Sequence, residues 1–170
     1  MDLSTLNQLT PDDAEEKFRG CCGTAWWARQ MEACRPFQNT PQLHDTADAI
    51  FDEMAEGHWL EAFAAHPKIG DVDSLRMKFV GNKQWSAGEQ AGISDADEDV
   101  LNELAAANDT YEQRFGYIFI ICASGLSAAE MLDALRHRLR NDPATEAPLA
   151  AAEQRKITHL RLDKLLTDDQ

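Results

Sequence analysis

The sequence predicts an all-α fold, a single-domain bundle of about seven to nine helices over residues 1–170. Helix start signals recur along it, as in Thr10-Pro11-Asp12-Asp13, where an N-cap residue precedes a proline and the acidic residues of a first turn. Apolar residues then return at helical spacing. The one run rich in β-forming residues, 117–123, lacks a partner strand of similar quality, so we expect a buried extended connector there.

The predicted helices each carry a local signal. Trp27, Met31 and Cys34 share one stripe of a helix that should end before Pro36. Ser127 and Glu130 form a capping box, in which each side chain bonds the other residue's backbone amide. Residues 141–148 are predicted to be the only linker, and residues 71–85 could be a short helix or a loop. The expected helices cover about residues 11–21, 26–35, 40–57, 58–65, 94–115, 127–141 and 149–166.

The charge balance restricts the partners of this protein. Its formal net charge is -14, whereas nucleic acids and anionic membranes require clustered cations. We therefore expect no nucleic-acid partner and no membrane partner, and an anionic substrate would have to be held by a few placed cations. The N-terminus lacks the features of a secretion signal and the C-terminus those of a peroxisomal tripeptide, so we expect a cytoplasmic protein.

The spacing of cysteines and histidines predicts no metal site. The sequence contains no C-x-x-C pair, no H-x-x-x-H pair and no H-E-x-x-H motif. Free cysteine usually behaves as a small hydrophobic residue, so buried, reduced thiols are expected. The four cysteines are Cys21, Cys22, Cys34 and Cys122.

A histidine stands at a predicted helix break. In the segment WLEAFAAHPKIG, residues 59–70, an apolar helical run stops at His66-Pro67. Proline removes a backbone donor and disfavours the α conformation of the preceding residue. His66 can be a simple stop signal, or an imidazole held outside the regular surface for proton transfer.

Two further motifs have both a structural and a functional interpretation. Ser86 and Glu89 form a capping box, but the two glycines in the surrounding QWSAGEQAG are unusual in a helix built only for stability, and a helix start offers free amides to an anion. Arg161 lies on the apolar stripe of Ile157 and Leu165. An arginine there either extends to solvent or pairs inward with a carboxylate, from a glutamate or from a ligand.

Taken together, these motifs resemble the 2-oxo-4-hydroxy-4-carboxy-5-ureidoimidazoline decarboxylases, which catalyse the last step from urate to allantoin. The resemblance covers nearly the whole chain, in ordered blocks. The blocks that carry it are His66-Pro67-Lys68-Ile69-Gly70, Ser86-x-x-Glu89-Gln90, Tyr111-x-x-x-Phe115-Gly116-x-x-Phe119-Ile120 and Lys156-Ile157-x-x-x-Arg161-Leu162.

The resemblance implies an all-α enzyme without a cofactor, acting on a small-molecule ureidoimidazoline. It implies His66 as the proton donor and Glu89 as its partner, and it leaves a homodimer open. The substrate-binding residues that it implies are Pro67, Ser86, Ala87, Gly88, Glu89, Gln90, Phe119, Ile120, Ile121, Cys122, Ala123 and Arg161.

Two other functions compete with this interpretation. A non-enzymatic acidic helical interaction module would keep His66, Glu89 and Arg161 apart, each satisfied by structural contacts. A hydrolase or lyase acting on a related ureide would use the same histidine and glutamate with a water molecule.

Overall fold

The computed structural model describes residues 1–67, 72–75 and 95–167, with only the backbone for residues 95–97. This described part is helical and contains no β-strand, which confirms the all-α prediction. Residues 72–75 add one helical turn. None of the described helices is long and apolar enough to cross a membrane. The eight longer helices are α1 (Leu3–Gln8), α2 (Pro11–Cys22), α3 (Ala25–Ala33), α4 (Thr40–Asp52), α5 (Glu56–Ala64), α6 (Asp95–Phe115), α7 (Ala128–Arg138) and α8 (Pro143–Thr167).

The chain divides into two compact units. The first unit comprises Met1–His66, Ile120–Cys122 and Ala147–Gln170, and the second comprises Pro67–Phe119 and Ala123–Glu146. Helix α8 therefore begins in the second unit and continues in the first. That residues 1–170 form a single domain stays a prediction.

The core of the first unit is built around Trp27 of α3, whose side chain is fully buried. Its ring meets Phe18 of α2 edge to face, with 6.2 Å between the centroids. Its indole N–H donates to the carbonyl of Ala47 on α4 at 3.3 Å, as a buried tryptophan normally requires. Trp27 thus joins three helices through one side chain.

A glycine turn brings the ends of α2 and α5 together. Gly23 ends α2 with φ +95°, a conformation that other residues rarely adopt. A Cβ atom at Gly23 would lie 2.6 Å from the Cβ of Ala65 and 3.3 Å from the carbonyl oxygen of Ala62. The backbone of α2 can therefore approach the end of α5 only because this residue has no side chain.

The second unit contains a buried polar network around Glu146, which is 0% exposed. Its carboxylate accepts hydrogen bonds from the Tyr111 hydroxyl, from Nε of Arg138 at 2.6 Å and from Nδ2 of Asn141 at 2.8 Å. Nη2 of Arg138 also lies 2.5 Å from Oε1 of Glu146. Burial, together with the hydrogen bond to Glu146, raises the pKa of Tyr111. The network ties α6 and α7 to the first turn of α8.

Several predicted boundaries hold. Gly116 ends α6 with φ +80°, Ser127 and Glu130 form the predicted capping box, and residues 117–123 are non-helical, with Ile120 buried. Helix α4, however, ends at Asp52 and not near Gly57.

Two predictions are wrong. Residues 141–148 are not a linker, because α8 begins at Pro143. Asp142 caps it by accepting from the backbone N–H of Thr145 at 2.9 Å, and the buried contacts of Glu146 fix its first turn. Cys34 is not buried. It caps the end of α3 and is exposed, because α3 stops one residue before it. Cys21 and Cys22 are buried as predicted, and Cys122 is half-buried.

Candidate functional site

His66 follows directly on α5, at the predicted helix break. Helix α5 ends at Ala64, Ala65 caps it, and the backbone N–H of His66 donates to the carbonyl of Phe63 at 3.2 Å. Pro67 cannot donate the next backbone bond, so the helix cannot continue. The half-buried imidazole is therefore held at the end of α5 and not along its side.

Both ring nitrogens of His66 contact side chains of α8. Nε2 lies 2.5 Å from Oε1 of Gln154, and Nδ1 lies 3.4 Å from Nη2 of Arg161. Gln154 and Arg161 are seven residues apart, which is two helical turns, so they share one face of α8. The structure thus brings together His66 and Arg161, which the sequence predicts to be functional, and adds Gln154 between them in the chain.

The end of α2 holds both α8 side chains in place. Nη1 of Arg161 donates to the carbonyls of Gly20 at 3.4 Å and Cys21 at 3.3 Å, and Nε2 of Gln154 donates to the carbonyl of Cys22 at 3.4 Å. The last carbonyls of a helix have no partners within it and carry its negative dipole end. These carbonyls therefore stabilise the guanidinium of Arg161, and no carboxylate within the described ranges pairs with it.

The surroundings favour the neutral form of His66. Burial lowers its pKa, and the guanidinium of Arg161 lowers it further, while the hydrogen bond to Gln154 acts in the opposite direction. Burial also raises the pKa of Cys21 to about 12 and that of Cys22 to about 11. Both cysteines are thus protonated near neutral pH, and they act as packing residues beside the cluster.

The predicted binding stretch Phe119–Ala123 is partly fixed by side chains. The backbone N–H of Cys122 donates to Oε2 of Glu153 on α8 at 2.8 Å, so this amide is not free for the ureido group of a ligand. Phe119 packs against Arg138, whose guanidinium carbon lies 4.7 Å from the ring centroid. Ile120 is buried, and Ile121, Cys122 and Ala123 are half-buried.

The other predicted site residues are placed in part. Pro67 is exposed and follows His66. Ser86, Ala87, Gly88, Glu89 and Gln90 lie outside the described residues, so Glu89 as the partner of His66 stays a prediction. In the described ranges, no three His, Cys, Asp or Glu side chains are gathered so that they could hold a metal ion.

The sequence interpretation missed Gln154, which is 0% exposed and contacts His66. The spacing of polar residues in the sequence could have indicated it. Gln154, Thr158 and Arg161 lie at positions i, i+4 and i+7 of α8, so three polar residues occupy one helix face whose first two members are buried. A polar stripe of this kind on a buried face indicates a site or a hydrogen-bonded core.

The fold and this cluster define an all-helical protein in which an imidazole and a guanidinium share a half-buried site. The family model for OHCU decarboxylase, in which OHCU stands for the ureidoimidazoline named above, matches residues 7–163. The chain therefore belongs to the OHCU decarboxylase family.

Individual relatives agree with this assignment. The chain is 38% identical over 154 residues to the uric acid degradation bifunctional protein TTL of Arabidopsis thaliana, covering 91% of this chain and 48% of that protein. It is 29% identical to the 2-oxo-4-hydroxy-4-carboxy-5-ureidoimidazoline decarboxylase of Amia calva, covering 98% of this chain and 95% of that one. The chain thus spans about half the length of the bifunctional relative.

A solved structure shares both fold and sequence. The crystal structure of an OHCU decarboxylase in the presence of (S)-allantoin superposes with a TM-score of 0.72 at 39% identity, covering 91% of this chain and 99% of that one.

Proposed function

We propose that the protein is a cofactor-free carboxy-lyase that converts 2-oxo-4-hydroxy-4-carboxy-5-ureidoimidazoline to (S)-allantoin in urate breakdown. The single observation that carries this proposal is the contact between Arg161 and His66. In the described residues no carboxylate pairs with Arg161, so its guanidinium is available to an anion beside a proton-transfer group. Membership in the decarboxylase family and the relative crystallised with (S)-allantoin support the same substrate.

The proposed chemistry needs placement and proton delivery. The substrate carries a carboxylate and a hydroxyl on one carbon, next to a ring C=N bond. When CO2 leaves, the electrons of the broken C–C bond form a C=C bond to the neighbouring ring carbon. The C=N electrons move to the ring nitrogen, which takes a proton from solvent, and an ene-type intermediate results. The neighbouring carbon then takes a proton, and the hydroxyl carbon becomes a carbonyl as its proton is lost. Preorganised polar groups can supply much of the required stabilisation.

Each residue has a role in this proposal. Arg161 binds the carboxylate or a ring carbonyl through its planar pair of donors. His66 takes up the proton that the substrate hydroxyl loses and delivers it to one face of the ring, which accounts for a single enantiomer. Glu89 favours the protonated imidazole at the moment of transfer, since a nearby carboxylate stabilises that form. The resemblance also assigns Pro67, residues 86–90 and residues 119–123 to substrate binding, and this assignment remains part of the proposal.

The partner of this enzyme in the proposal is its small-molecule substrate. A cytoplasmic location stays the expectation drawn from the sequence, and a homodimer stays open. The interaction-module alternative required His66 and Arg161 to lie apart, whereas their side chains are 3.4 Å from each other. That contact favours an enzyme.

Freshly prepared ureidoimidazoline tests the proposal through the rate of CO2 release. We expect wild type and His137→Asn to accelerate it equally, because His137 is an exposed residue of α7. His66→Asn should lose about 10²- to 10⁴-fold, the usual contribution of a general acid. Full activity in a folded His66→Asn variant would rule out the assigned role, and no acceleration by wild type would rule out the function.

A further inference from the structure

Gln154 is the only residue among those described that contacts Nε2 of His66 within hydrogen-bond distance. We infer that Gln154 is a positioning residue: it holds His66 in the tautomer with a proton on Nε2, and so leaves Nδ1 as the nitrogen that exchanges a proton with the substrate. The second half of this inference rests on the proposed function. The first half concerns the protein alone.

The orientation of the Gln154 amide follows from its other contacts. Its Nε2 faces the carbonyl of Cys22 at 3.4 Å and Oγ1 of Thr158 at 3.3 Å. A carbonyl only accepts. The hydroxyl of Thr158 donates to the backbone carbonyl of Gln154 at 2.9 Å, so its oxygen is left to accept. The amide nitrogen must therefore point towards Cys22 and Thr158, and the amide oxygen towards His66.

An amide oxygen at 2.5 Å from Nε2 requires a proton on Nε2. On the other side of the ring, Nη2 of Arg161 can only donate, so Nδ1 must offer its lone pair at 3.4 Å. Both neighbours thus specify the same neutral tautomer. A histidine that is fixed in this way presents one defined nitrogen to a ligand.

The neutrality of Gln154 has its own consequence. A glutamate at this position would also accept the Nε2 proton, but its charge would stabilise the imidazolium. The amide orients the ring without adding negative charge. Burial and Arg161 therefore still lower the pKa of His66, although the hydrogen bond to Gln154 acts in the opposite direction. A substrate anion held by Arg161 then lies on the Nδ1 side. Nδ1 carries no proton in this tautomer, so in the proposed reaction it first accepts the proton that the substrate hydroxyl loses and then transfers it to the neighbouring ring carbon.

The test combines 15N NMR of histidine-labelled protein with pH profiles of turnover. His66 resonances are assigned by their loss in His66→Asn, and the wild type should show a protonated Nε2 and an unprotonated Nδ1 near neutral pH. Gln154→Met, of similar size, should lose this preference and lower kcat about 10- to 100-fold, the range for residues that orient a functional histidine at metal sites. KM should change little, because Arg161 is retained.

Charge is tested separately by Gln154→Glu against the surface control Gln42→Glu, which lies on α4 and is exposed. Gln154→Glu should keep the Nε2–H tautomer and move the acid limb of kcat/KM upward by about one pH unit or more. Gln42→Glu should change neither the tautomer of His66 nor the acid limb of kcat/KM.

A wild-type His66 protonated on Nδ1, or an unchanged tautomer and kcat in Gln154→Met, would overturn the inference. The wild-type spectrum decides this even if a variant does not fold. A wild type with the expected tautomer but no turnover would overturn the proposed function, and not the effect of Gln154 on His66.

Discussion

Replacing Glu146 by glutamine should destabilise the second unit strongly while preserving the shape of the side chain. Oε1 of Glu146 accepts a hydrogen bond from the Tyr111 hydroxyl and contacts two nitrogens of Arg138. Oε2 accepts a hydrogen bond from Nδ2 of Asn141. A glutamine must place its NH2 group against one of these sets of donors. In one orientation the NH2 group faces the guanidinium of Arg138, whose side chain is 12% exposed, and in the other it faces the side-chain amide of Asn141. In both orientations the negative charge beside Arg138 is removed.

The magnitude follows from burial. Removing one partner of a buried ion pair costs about 3–5 kcal/mol. We expect Glu146→Gln to lower the free energy of unfolding by about that amount. Tyr111→Phe removes one hydrogen bond to the carboxylate and should cost about 1.5–3 kcal/mol.

Urea unfolding followed by circular dichroism measures both variants. The matched control is Glu130→Gln, because glutamine also closes a capping box and Glu130 is exposed. The control should unfold at the wild-type midpoint. If Glu146→Gln were within 1 kcal/mol of wild type, a margin far below the buried-pair cost, the network would not be the structural anchor that its contacts indicate.

Three further predictions concern the site. Folding lowers the pKa of His66, so just below about pH 6.5 the unfolded chain binds more protons than the folded protein. The free energy of unfolding should therefore fall as the pH falls through that window, and it should fall less in His66→Asn. Chemical unfolding at several pH values measures both. Glu89→Gln preserves the predicted capping-box pattern but should lower kcat about 10-fold or more. Unchanged turnover would leave Glu89 with its predicted capping role only. Arg161→Lys keeps the charge but loses the planar donor pair that can bind the carbonyls at the end of α2 and a ligand at the same time, so KM should rise about 10-fold with little change in Tm. A wild-type KM in this variant would contradict substrate binding by Arg161.

The sequence predicts the fold because its helix signals are local. Thr10 caps α2 and Ser127 caps α7 as their patterns indicate. The failures occur where a distant contact decides the structure. Residues 141–148 have the composition of a linker, but Glu146 is buried by partners from α6 and α7, and this tertiary contact fixes the first turn of α8.

The site is predictable to the extent that individual residue types suggest chemistry. His66 and Arg161 each have an unusual local context, a proline break and an apolar stripe, and they prove to be neighbours. The expected carboxylate partner of Arg161 is replaced, in the described part of the chain, by the last carbonyls of α2. Backbone carbonyls carry no sequence signal, so their role appears only when α2 and α8 are packed together.

The stereochemistry of the product tests the central claim most directly. Allantoin formed from freshly oxidised urate, after the ureidoimidazoline has accumulated, is measured by circular dichroism with and without the protein. A proton delivered to one face by His66 predicts a rapid signal of (S)-allantoin with wild type, and a slowly formed racemate with His66→Asn or no protein. Racemic allantoin formed at the uncatalysed rate in the presence of wild type would contradict the account.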